Sequence, residues 1–78
     1  MKEIKLDKLK EIINEILDNS ERETIKNIRD DMSLTDDIGF DSLDLAELTV
    51  HVEKVFGIDI FEDGFVESIG DIRKKIGI

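Results

Sequence analysis

The stretch "DDIGFDSLDLAEL", residues 36–48, decides how this chain is read. Ser42 stands where a glycine-containing loop gives way to an apolar pattern of helical period. Around it lie Asp36, Asp37, Asp41, Asp44 and Glu47, and the stretch has no histidine, lysine or arginine. A nucleophilic serine needs a base within hydrogen-bond reach. His51 is the only histidine in the chain. On the same helix it would lie about half a turn round from Ser42 and roughly 13 Å along the axis. The G-x-S-x-G elbow is also missing from "GFDSLDL". No catalytic residue is expected.

Outward from this stretch, the second helix is expected from Asp41 or Ser42 to about Phe56. Asp41 or Ser42 caps it, Asp44 puts negative charge in its first turn, and Gly57 stops it. On a helical wheel Leu45, Leu48, Val52, Val55 and Phe56 gather into a core stripe. Leu43 and Val50 fall on the opposite, charged face with Asp44, Glu47, His51 and Lys54. Two isolated apolar residues on a surface are ordinary. Flanked by acids, they also suit docking to a basic partner. On that reading Leu43→Arg or Val50→Arg leaves the fold intact and weakens the partner contact.

Leu9, Ile12, Ile13, Ile16 and Leu17 recur at helical spacing and predict a first helix from about residue 5 to 18. Ser20 and Glu23 have capping-box spacing for a short turn carrying Ile25 and Ile28. Residues 30–41 read as a loop anchored by Met32, Leu34 and Ile38. "IDIFEDGFVES" reads as a short irregular helix. Ile69, Ile72 and Ile76 mark a final helix whose basic end, Arg73 to Lys75, suits the helix dipole. The fold class is all-α: a small bundle of three main helices plus one short irregular helix, in a single domain over residues 1–78.

With 78 residues and no cysteine, the chain must rely on one small apolar core. A net charge of -9 disfavours nucleic acid as a partner and favours basic proteins. Residues 30–53 contain eight acids and no Lys or Arg. No apolar run is long enough to span a membrane. The charged N-terminus lacks the apolar block of a signal peptide. A soluble, cytoplasmic monomer without membrane insertion is expected. No metal site is expected, because EF-hand spacing around Gly64 fails. The pairs Asp30–Asp31 and Asp36–Asp37 suggest weak divalent-ion binding at most.

A serine at a helix N-terminus is usually a cap, yet the same place accepts a phosphate. "DDIGFDSLDLAEL" resembles the prosthetic-group segment of acyl carrier proteins, in which Gly-x-Asp-Ser-Leu opens the second helix. The likeness continues through the amphipathic first helix, the long loop, "VEKVFGIDI" and "VESIGDI". It implies that Ser42, flanked by Asp41 and Leu43, carries phosphopantetheine through a phosphodiester. A separate phosphopantetheinyl transferase would install it from coenzyme A. The arm's thiol would hold acyl groups as thioesters, so the chain would be a carrier rather than an enzyme. Asp41, Leu43, Asp44, Glu47 and Val50 would meet basic patches on acyl-loading and acyl-processing enzymes. Phe56, Ile60, Val66 and Ile69 would line an acyl pocket.

Phe40, Lys54, Phe61 and Gly64 depart from the family's usual pattern. They open the choice between fatty acid synthesis and a specialised lipid or polyketide pathway. A D-alanyl or peptidyl carrier is the alternative within the class. An acidic helical interaction module, with Ser42 as a plain cap, is the alternative outside it.

Overall fold

The computed structural model describes residues 2–62, 64 and 66–78, with side chains from residue 4 onward. Three helices follow in order: α1 (Lys2–Asn19), α2 (Ser42–Phe56) and α3 (Ile69–Ile76). Among the described residues there is no strand, only an isolated antiparallel bridge between Ser33 and Ser68. No helix among them is long and apolar enough to cross a membrane.

The α1 stripe of Leu9, Ile12, Ile13, Ile16 and Leu17 is wholly buried. It packs with Leu48 and Val52 of α2, Ile69, Ile72 and Ile76 of α3, and Met32, Leu34, Ile38, Phe40, Ile60 and Val66 from the connections. The three loop anchors named by the sequence therefore sit in the core, joined by Phe40. Leu45 and Phe56 pack at its edge. Val55 does not join the stripe and is 49% exposed. On the wheel it lies about 60° from Val52, at the margin of the buried arc.

α1 ends in a Schellman turn. The Arg22 N–H donates to the Leu17 carbonyl at 2.8 Å, and the Glu21 N–H to that of Asp18 at 3.0 Å. Glu21 takes the left-handed position, φ 58°, where glycine is usual. Ser20 caps nothing downstream; its hydroxyl donates back to the Ile16 carbonyl at 3.1 Å. The short turn expected behind a Ser20–Glu23 capping box does not form. The Asn14 side chain accepts from the Ile25 N–H at 2.7 Å and donates to the Ile25 carbonyl at 2.9 Å. A helix would have needed those same backbone groups.

The expected short helix in "IDIFEDGFVES" is replaced by turns at its described positions; Asp63 and Phe65 lie outside them. Asp59 accepts the Phe61 N–H at 2.9 Å, an Asx turn that competes with helix formation. Gly64 then takes φ 127°, far from helical values. The all-α class stands without this fourth helix.

The long loop is built rather than loose. It runs antiparallel to the entry of α3, with the Leu34 N–H donating to the Glu67 carbonyl and the Ile69 N–H to the Met32 carbonyl. The Gly70 N–H donates to the Asp30 carbonyl at 3.0 Å. A Cβ at Gly70 would stand 3.0 Å from that same oxygen, so a side chain there would require the loop to give by a few tenths of an ångström. Arg73 closes the contact by pairing with Asp30 at 2.6 Å.

Candidate functional site

The lead-in to α2 is fixed residue by residue. Gly39 turns the chain with φ 87°, and its carbonyl accepts from the Arg22 guanidinium at 2.7 Å. The Phe40 N–H donates to the Leu34 carbonyl at 2.9 Å. The Asp41 N–H donates to the Asp44 carboxylate at 2.9 Å, and the Asp44 N–H donates to the Asp41 carboxylate at 2.9 Å. This reciprocal pair is a capping box with Asp41 as N-cap.

Asp41 thus takes the capping role, and Ser42 becomes the first helical residue. Ser42 is exposed. Among the described residues no group hydrogen-bonds its hydroxyl. His51 lies on the same helix and cannot reach it.

Asp44 corrects the sequence reading. Expected on the partner-facing surface, it is only 8% exposed. Besides the Asp41 N–H it accepts from Arg22 at 2.8 Å. Burial pushes its pKa up, but the Asp41 N–H and the Arg22 guanidinium outweigh that. The carboxyl is held below its ordinary value of 3.8. Asp44 is therefore a structural anion, engaged within the chain.

Arg22 is what the sequence reading missed. It bonds the Gly39 carbonyl, the Ser20 hydroxyl and Asp44, and its guanidinium lies 5.8 Å from the Phe40 ring centroid. The signal was weak: a lone arginine outside the acidic segment. Only the fold brings it to Asp44.

The rest of the α2 face matches its wheel. Asp41 and Glu47 are exposed, Leu43 is 78% exposed and Val50 55%. Leu43 and Val50 are the largest apolar exposures on this helix.

Beside Ser42 opens a cavity of about 620 Å³. Its α2 wall is Ser42, Leu45, Ala46 and Thr49; Ser33, Leu34, Thr35 and Asp36 form the loop wall, and Phe61, Val66 and Glu67 the third. Of the four residues assigned to an acyl pocket, Val66 lines this cavity. Ile60 and Ile69 have no exposure at all and belong to the core, and Phe56 packs against its edge. Their apolar character could not distinguish core from cavity wall.

The acid pairs are partly engaged. Asp30 holds Arg73, and Asp37 accepts the Ser33 N–H at 2.7 Å. Among the described residues no three His, Cys, Asp or Glu side chains gather to hold a metal.

A family model described as "Phosphopantetheine attachment site" matches residues 7–77. An acyl carrier protein of Zymomonas mobilis subsp. mobilis is 34% identical over 70 residues, covering 90% of this chain and 83% of that protein. An acyl carrier protein of Chloroherpeton thalassium is 43% identical over 51 residues, 65% of this chain. That alignment spans 62% of the relative, under two thirds of its length. No solved structure matches the chain.

The chain belongs to the acyl carrier protein family, a family of carriers rather than catalysts. Its prosthetic group is a covalently attached phosphopantetheine. The residues present fit such a group: an exposed serine hydroxyl with no partner among the described residues, on a helix N-terminus, beside a cavity.

Proposed function

We propose that Ser42 is the attachment residue and that the chain shuttles acyl groups as thioesters on its phosphopantetheine arm. The observation that carries this reading is the division of labour at the start of α2. Asp41 caps the helix, so the adjacent Ser42 hydroxyl is left exposed. A base on the chain is not required if a transferase brings its own. In that reaction the Ser42 oxygen forms a bond to the phosphorus bearing the pantetheine. The pyrophosphate bond of coenzyme A breaks, adenosine 3′,5′-bisphosphate leaves, and the serine proton passes to the transferase. The resulting phosphodiester sits on the first turn of α2, where the helix dipole favours an anion.

The arm supplies the thiol that a chain without cysteine lacks. The cavity beside Ser42 has the position to shelter the arm or the first carbons of its cargo. Asp41, Leu43, Glu47 and Val50 form the exposed face for enzymes with basic patches. Fatty acid, specialised lipid or polyketide synthesis are the pathways this reading admits. A cytoplasmic location, where coenzyme A is available, goes with it.

The test is an intact mass after incubation with coenzyme A, magnesium and a broad-specificity phosphopantetheinyl transferase. A single phosphopantetheinyl addition, lost in Ser42→Ala, is expected. A folded chain that gains no mass would overturn the reading and leave an acidic interaction module.

A further inference from the structure

The geometry points to Arg22 as a positioning residue for modification of Ser42, acting through the backbone that leads into α2. This rests on Ser42 being the attachment residue. The three successive residues before Ser42 are each pinned through a main-chain group. The Phe40 N–H is held by Leu34 of the same loop, and the Asp41 N–H by the capping box. The Gly39 carbonyl alone is held from outside the loop and helix, by Arg22.

Arg22 also reaches the other side of the serine. The same guanidinium that holds Gly39 bonds Asp44, the residue that closes the capping box. One rigid planar group therefore spans the turn before Ser42 and the turn after it. A lysine has a single donor centre and cannot hold that fork. Arg22 is itself placed by the Schellman turn that ends α1, through its own N–H on Leu17. The link runs from α1 through Arg22 to both flanks of Ser42.

The arrangement is poorly explained by stability alone. Arg22 Nε is buried and has no hydrogen-bond partner among the described residues. The side chain as a whole is 33% exposed, but a buried N–H left unmet is costly, and sheltered ion pairs often contribute little net stability. Holding geometry is a better account. In-line attack by the serine oxygen is sensitive to small displacements.

Transferase kinetics on Arg22→Met and Arg22→Lys test this. Methionine keeps an apolar stem and removes the three polar contacts, to Gly39, Ser20 and Asp44. Lysine keeps the charge beside Asp44 and is the variant that reports if the methionine form is unfolded. Assays are run where circular dichroism shows each variant folded. The expected result is a fall in kcat of about tenfold for methionine and a smaller fall for lysine. KM stays within about twofold, because the exposed Leu43, Glu47 and Val50 are intact. A role in stability alone would leave kcat of the folded variants unchanged, and that result would overturn the inference. A large rise in KM at constant kcat would also overturn it, since Arg22 would then govern docking. If the unaltered chain gains no phosphopantetheine, the attachment reading itself fails and Arg22 falls with it. Modification of the unaltered chain with unchanged kcat in folded variants fails Arg22 alone.

Discussion

At the scale of single residues, Asp41 and Ser42 are neighbours with opposite duties. Asp41 accepts the Asp44 N–H and caps α2; Ser42 is exposed, and its hydroxyl has no partner among the described residues. Their substitutions should separate cleanly in the protein before it receives its arm. Asp41→Ala is expected to cost about 1 kcal/mol, the usual effect of a lost N-cap. Ser42→Ala is expected to stay within about 0.5 kcal/mol, as for surface positions away from such features. Urea denaturation of the two variants reads the difference. Equal losses would mean that Ser42 shares the capping role. The sequence placed a cap at one of these two residues, because capping is local and depends on three or four neighbours. It could not turn Asp44 inward. That orientation depends on Arg22, which arrives from the end of α1, and no spacing rule connects the two.

At the scale of elements, legibility followed periodicity. The α1 stripe repeats over several turns and was readable to the residue, as were the glycine stop of α2 and the isoleucines of α3. The capped turn expected from Ser20 and the short helix expected in "IDIFEDGFVES" do not form at the described positions, because each segment is decided by one side chain. Asn14 takes the Ile25 backbone in one, and Asp59 the Phe61 N–H in the other. The same dependence makes the helix starts sensitive to acid. α2 and α3 both open with capping boxes closed by an aspartate, Asp44 and Asp71. Asp71 is held below the ordinary 3.8, first by the Glu67 N–H and then, against some desolvation, by Ser68. A carboxyl depressed in the folded state binds its proton more readily when unfolded. Its stabilisation is therefore complete above the unfolded value and is lost as pH falls through the lowered folded value. Asp71→Asn should lower the melting temperature at neutral pH. It should also shrink the further loss between neutral pH and about pH 3, relative to the unaltered protein. An undiminished acid loss in Asp71→Asn would show that this carboxylate is not among those responsible.

At the scale of the whole molecule, twenty acids against eleven basic residues leave a net charge of -9 on a small fold. Such an excess opposes compaction, whereas ion pairs favour it, and salt weakens both. Their relative size settles the sign. Lys8–Glu11 and Arg29–Asp31 lie on the surface and are worth little. Arg22–Asp44 is more sheltered and less open to screening. Repulsion across the acidic surface is long-ranged and exposed, so it is what salt relieves most. Raising sodium chloride from about 20 mM to about 500 mM shortens the screening length from roughly 20 Å to about 4 Å. The melting temperature is expected to rise over that range. On the proposed reading, docking to a transferase with a basic patch should respond in the opposite sense, because steering by the Asp41 and Glu47 side of α2 would be screened by the same ions. KM for the carrier should then climb while the carrier itself becomes more stable. A fall in melting temperature would show that the ion pairs outweigh the surplus charge. A KM indifferent to salt would place recognition on the apolar residues Leu43 and Val50 instead of the acids beside them.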